Sequence, residues 1–246
     1  MAYPQLKNKH LDASFISPAT RISEEVRKLK LPSKWIITYD FPSIDSWIQN
    51  KYKVKKVEIS RSFTSYIAGN VGFVKCHGFG SSYTTMMIEE LIELGGKTFI
   101  NIGTAGGLNK WGLFVCTSAL IDEGTSYHYI SPKEKFVYPN NALVKKISTV
   151  LKKDKIDFST GATWTVDAPY RETLREVKHY TKKGISTVEM EASALFSLGR
   201  YRKVSVASIF AVRDVLKKDY EIMKLISIMD MIKQAIDVSY KVLKSL

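Results

Sequence analysis

Two spacings of apolar residues alternate along this chain. Strand-like runs at Ala13 to Ser17, Trp35 to Tyr39, Val57 to Arg61, Val71 to Cys76, Lys97 to Gly103, Phe114 to Ile121 and Val204 to Val212, several of them nearly all apolar, suit sheet strands covered on both faces. Between them, apolar residues recur at three- and four-residue steps. Ser82 to Leu94 places Met86, Met87, Ile88, Leu91, Ile92 and Leu94 ahead of a Gly95-Gly96 stop, which predicts a helix. Asn141 to Lys152, Tyr170 to Lys183 and Met190 to Gly199 are further helical segments, and Ile185 to Val188 is a short strand before the last of them. Tyr220 to Leu246 carries Ile222, Leu225, Ile226, Met229, Ile232, Ile236, Tyr240 and Leu243 on one stripe, an amphipathic C-terminal helix facing the core. Strands alternating with helices throughout predict an α/β fold, a three-layer α/β/α sandwich with a central mixed sheet. No linker or repeat interrupts the pattern, and 246 residues suit one core, so 1–246 is read as a single domain.

Composition changes this picture little: 45% apolar and 25% charged residues with no low-complexity tract describe a globular chain and argue against disorder. The net charge of +13 matters more. Its lysines and arginines recur along the whole length, with acids between them and no RNP, zinc-finger or helix-turn-helix pattern. That spread favours a solvated surface and attraction for an anionic small molecule over nucleic-acid binding. Cys76 and Cys116 lie inside apolar runs without metal-type spacing and read as buried free thiols. With no leader pattern and no apolar stretch of roughly 18 residues, a cytoplasmic protein without a membrane span is expected.

Three clusters could carry chemistry. Thr98 to Gly107 is an apolar strand running into small residues, including Thr104, where the loops of an α/β sheet diverge and ligands bind. It has neither Walker A nor GxGxxG spacing, and a plain turn is the bland alternative. In the second, Glu189 and Glu191 flank Met190 at a strand-to-helix junction. A carboxylate buried there needs donors such as the two hydroxyls of a ribose, or it is simply a helix N-terminal acid stabilised by the macrodipole. In the third, Asp214 follows the strand ending at Val212 and stands beside Arg213. It is either a proton donor at a ligand cleft or half of a structural ion pair.

Five ordered stretches together resemble a known family: Ile100 to Leu108, Asp122 to Tyr129, Gly161 to Glu172, Val188 to Phe196 (VEMEASALF) and Ala211 to Asp214. They look like the nucleoside phosphorylases, in the branch of uridine phosphorylase, hexameric purine nucleoside phosphorylase and methylthioadenosine phosphorylase. The resemblance implies cleavage of a nucleoside's N-glycosidic bond by phosphate, giving ribose 1-phosphate and free base, with purines ahead of uridine. It assigns Glu191 to the ribose hydroxyls with Met190 packing on the sugar, Asp214 with its neighbour Arg213 to the base, and Trp164 to covering the base. Phosphate falls to Ser17, Arg21, Thr104 and an interfacial Arg61, and His10 is a candidate for a neighbouring ribose 5′-hydroxyl. No metal or organic cofactor is implied, phosphate being the co-substrate, and a homohexamer built as a trimer of dimers is. Two departures stand out. Ser17-Pro18-Ala19-Thr20-Arg21 replaces the usual Gly-Asp-Pro-x-Arg loop, and Asn101 stands where the family has a second phosphate arginine. The second departure makes a hydrolytic nucleosidase of the methylthioadenosine/adenosylhomocysteine type the alternative, alongside a uridine-specific phosphorylase.

Overall fold

In chain order the elements are α1 (Glu24–Arg27), β1 (Lys34–Thr38), α2 (Ile44–Tyr52), β2 (Lys55–Ser60), β3 (Phe63–Ala68), β4 (Val71–Cys76), α3 (Ser81–Glu93), β5 (Thr98–Gly107), β6 (Gly112–Asp122) and β7 (Phe136–Val137). There follow α4 (Asn141–Lys153), β8 (Phe158–Val166), α5 (Leu174–Lys182), β9 (Ile185–Glu189), α6 (Ala192–Arg202), β10 (Ser205–Val215), β11 (Glu221–Ile222) and α7 (Leu225–Lys244). This computed structural model describes residues 3–215, 221–222 and 225–246. Its strands form one mixed sheet in the order β11-β10-β6-β8-β9-β5-β1-β4-β3-β2, with β7 on β6. β10 also pairs with β5 in parallel, so β5, β10, β6, β8 and β9 close into a ring.

Alternation along the strands makes the layers. Ile36 of β1 and Ile100 and Ile102 of β5 join a core with α2, α4 and α7, whereas Trp35 and Ile37 join one with α3 and α6. Helices thus cover both faces of the mixed sheet, as the sequence predicts. A third, smaller cluster packs Val177 of α5 on Trp164, Ile185 and Val188. Helix starts are fixed locally: the Asn140 side chain accepts from Leu143 N at 2.9 Å to open α4, and Thr173 with Glu176 forms a capping box for α5. Among the described residues no helix is long and apolar enough to cross a membrane.

Several expectations are corrected. Ala13 to Ser17 is not a strand: no neighbour pairs with it, and Phe15 is fully exposed. The helix expected from Tyr170 begins only at Leu174, after a 3-10 turn over Pro169–Arg171, because Pro169 and the Thr173 cap reset the chain. In the C-terminal segment the helix starts at Leu225 and Glu221–Ile222 pairs with β10, while Tyr220, Met223 and Lys224 lie outside the described residues. Strands β3 and β8 and helix α2 were not foreseen.

Candidate active site

The site residues sit around the C-terminal half of β5. Thr104 pairs with Ala211 of β10, and the register then slips by one residue between Val212 and Asp214, so that Gly106 faces Asp214 rather than Arg213. An extra residue in one strand exchanges the side-chain faces beyond it. Arg213 is thereby left exposed while Asp214 is buried on the Thr104–Gly106 face, with the Arg213 Nε 3.7 Å from its Oδ1. Gly107 permits this approach. A Cβ there would lie 2.2 Å from the Lys110 carbonyl and 3.1 Å from the Asp214 carbonyl oxygen, so its small size serves chain packing.

On the other side of β5, Gly106 pairs with Val188 of β9. Val188, Gly106 and Asp214 therefore lie on three adjacent strands, spanning roughly 10 Å at ordinary strand spacing. Just beyond Val188 the chain turns into α6, and Glu191 is held there by a 2.6 Å hydrogen bond from Gly80 N to its Oε1. Gly80, at φ 96°, is the N-cap of α3, whose positive end thus faces this carboxylate. Ser81 Oγ donates to the Met190 carbonyl at 2.6 Å, locking the same junction. Burial, then the facing charge of Glu189, pushes the Glu191 carboxyl up to about 8, against the Gly80 and Met190 backbone donors. Glu191 is 7% exposed and Asp214 is buried, while Met190, Thr104 and Gly106 are half-buried.

Thr104 apart, the phosphate candidates lie elsewhere in the single chain. Arg21 and Arg61 line one open cleft of about 670 Å³ with His77 and Glu90, which Thr104, Glu191 and Asp214 do not line. Arg61 stands exposed on the β2–β3 turn. His77 steadies that turn, with Nδ1 3.2 Å from the Arg61 carbonyl and Nε2 2.9 Å from Thr64 Oγ1. Arg21 closes a 3-10 turn capped by Ser17, whose Oγ accepts from Ala19 N at 3.3 Å, and Arg27 donates to the Ala19 carbonyl. Arg21 Nη1 lies 3.2 Å from Met86 Sδ on α3, the helix that also contacts Glu191. His10 lies on the turn Lys9–Leu11, which docks on the turn Ser126–His128 through Lys9 Nζ and His128 Nδ1, 2.5 Å apart.

Trp164 is not brought to an opening. It is fully buried, its Nε1 donates to Asp122 Oδ2 at 2.8 Å, and its ring centroid lies 4.7 Å from that of Tyr180. No face is free for a base, which corrects the role that the resemblance implies for Trp164. The same β8 exit instead presents Tyr170, 99% exposed, on the 3-10 turn. Glu172, two residues on, is pushed up to about 7 by burial and then by the neighbouring charge of Asp214, with Arg213 opposing. Sequence reasoning gives neither a site role, although both lie in the family-like stretch Gly161 to Glu172 and an aromatic in a Pro-led turn after a buried strand is a readable signal. Asn101 is buried and committed: it accepts from Tyr39 Oη at 2.9 Å and donates to Ser208 Oγ at 3.4 Å.

With this geometry in place, similarity to known proteins gives the class. The sequence profile of the phosphorylase superfamily matches residues 43–246. The chain belongs to that superfamily. It is 29% identical over 139 residues to a guanosine phosphorylase of Halorubrum lacusprofundi, covering 55% of this chain and 57% of that protein, so the match spans a little over half of that relative. The fold is that of a uridine phosphorylase from Vibrio fischeri ES114, with TM-score 0.74 and 24% identity over 88% of this chain and 93% of that one. It is also that of a 5′-methylthioadenosine/S-adenosyl homocysteine nucleosidase from Campylobacter jejuni, with TM-score 0.73 and 18% identity over 87% of this chain and all of that one.

Proposed function

We propose that this chain is a nucleoside phosphorylase that cleaves purine nucleosides, and uridine less well, with phosphate to give ribose 1-phosphate and free base. The observation that carries this reading is the placement of Glu191, a buried carboxylate pinned by Gly80 N–H beside β5, with Asp214 reaching the same strand end from the other side. The Glu191 carboxylate is the group assigned to the ribose 2′ and 3′ hydroxyls.

In the reaction the C1′–N bond breaks with its electron pair leaving on the base, and a phosphate oxygen bonds to C1′. Positive charge grows on the sugar and negative charge on the base, so groups that meet those charges lower the barrier. Glu191 orients the ribose over Met190, and Asp214 is assigned to N7 of a purine. Tyr170 offers its ring to the base in place of Trp164. Thr104, Ser17 and Arg21 are assigned to phosphate, and Arg61, which shares with Arg21 a cleft that Thr104 does not line, reaches a neighbouring subunit's phosphate in a hexamer. His10 goes to a neighbouring 5′-hydroxyl in the same way. No metal or organic cofactor takes part, and the enzyme works in the cytoplasm.

One observation favours hydrolysis instead: Asn101, bonded to Tyr39 and Ser208, places no cation where the family has an arginine. Incubating the protein with inosine, guanosine, adenosine and uridine, with and without phosphate, and identifying the sugar decides between them. Ribose 1-phosphate formed only with phosphate supports phosphorolysis. Free ribose without phosphate supports hydrolysis, and no turnover of any nucleoside rejects both.

A further inference from the structure

Glu191 is not the only buried acid at this junction. Glu189 sits two residues earlier at the end of β9, and its Oε2 accepts the backbone N–H of Glu191 at 2.9 Å and of Ala192 at 2.8 Å. It thereby satisfies two of the orphan donors at the start of α6. Its Oε1 accepts from Thr165 Oγ1 of β8 at 2.6 Å, and the Thr165 oxygen in turn accepts from Ser193 N at 3.0 Å. A third buried acid continues the network. Glu123, at the end of β6, accepts from Ser193 Oγ at 2.9 Å and from Ser126 N at 3.1 Å. Among the described residues no lysine, arginine or histidine hydrogen-bonds or ion-pairs to these three carboxylates, so each leans on neutral donors alone.

We propose that Glu189 is a positioning residue for the sugar site: by clamping the Glu191 and Ala192 N–H groups it aims the Glu191 carboxylate, and its like charge beside that carboxylate makes sugar binding depend on pH. This rests on Glu191 holding the ribose. The groups facing Glu191 are Glu189 from β9, Tyr39 at the end of β1 and Cys76 of β4, and those facing Glu189 include Glu123 and Cys116 of β6. All of these side chains are neutral or negative, so only neutral donors, such as Gly80 N–H on Glu191 and Thr165 Oγ1 on Glu189, oppose the repulsion between the pair. Burial pushes Glu189 up to about 7, and burial with the Glu189 charge pushes Glu191 up to about 8. As pH rises through that range Glu191 ionises, and its hydrogen bonds from sugar hydroxyls become charge-assisted. Nucleoside binding should tighten by roughly tenfold.

The test is calorimetric binding of inosine, without phosphate, from about pH 5.5 to about pH 9.5, for the wild type and for Glu189→Gln. Gln keeps one acceptor for the α6 N–H groups but removes the charge. The expected result is wild-type tightening centred between about 7 and 8, and a midpoint at least about one pH unit lower in the variant. A variant that binds inosine with an unmoved midpoint overturns this inference alone. Failure of the wild type to bind any nucleoside overturns the functional reading and this inference with it. Carboxyl-labelled glutamate NMR on the wild-type chain provides a readout that does not depend on the variant folding. Two mutually dependent carboxyls titrating near neutrality support the proposal, and titration of all glutamates near about 4.3 refutes it.

Discussion

Replacing Glu191 by Gln should move activity and stability in opposite directions. The carboxylate sits buried against Glu189, and its proton is held up to about 8 rather than near the ordinary glutamate value. An acid whose pKa is raised by folding binds more protons in the native state, so its contribution to stability is full below the unfolded value and is lost as pH rises through the folded one. At pH 7 the cost carried by Glu191 is on the order of 3 kcal/mol, before allowance for its coupling to Glu189. Gln removes the charge and keeps a carbonyl for the Gly80 N–H, but its amide must also be desolvated, so a net gain of roughly 1–2 kcal/mol is the reasonable expectation. For a chain of this size that is a rise in Tm of roughly 2–8 °C. Scanning calorimetry of both proteins at about pH 5 and about pH 8.5 should show little difference at the first and the full difference at the second. Over the same substitution kcat/KM for every nucleoside should fall by roughly a hundredfold or more, because charge-assisted bonds to two hydroxyls are lost. Equal Tm values at alkaline pH, or unchanged turnover, would refute the placement of a strained, sugar-binding carboxylate here.

Asp214→Asn should lower kcat/KM for inosine or guanosine by roughly 10²- to 10⁴-fold and for uridine far less, and equal loss on both would remove the purine preference. Arg61→Ala should raise the KM for phosphate by about tenfold or more with little change in nucleoside KM, so an unaltered phosphate KM denies it the phosphate. Tyr170→Ala should raise nucleoside KM by roughly three- to tenfold, whereas no change would show that its exposed ring does not stack on the base.

The layers were legible because apolar residues report burial directly: Trp35 to Thr38, Phe99 to Ile102 and Val206 to Val212 read as strands and are strands. β8 was hidden because its buried face is polar. Thr163 and Thr165 are fully buried, yet they serve the β9–α6 junction through hydrogen bonds that no hydropathy pattern reveals. Strand β3 was obscured by the polar turn around Arg61 from which it emerges, and α2 by its short length and the αL Ser43 before it. In the site, the acids at 189, 191 and 214 stood out in the sequence because a charge beside an apolar strand is costly. What could not be read was direction. The register slip that turns Asp214 inward and Arg213 outward, and the complete enclosure of Trp164, belong to the tertiary packing.

The claim on which this account turns is that one nucleoside engages Glu191, Thr104 and Asp214 together. A crystal structure of the protein with a non-hydrolysable inosine analogue and phosphate measures this directly. The account predicts ribose hydroxyls within about 3 Å of the Glu191 carboxylate, the purine edge at Asp214 and the anion beside Thr104. An analogue bound away from the end of β5, or bound there with no sugar hydroxyl on the Glu191 carboxylate, would contradict it.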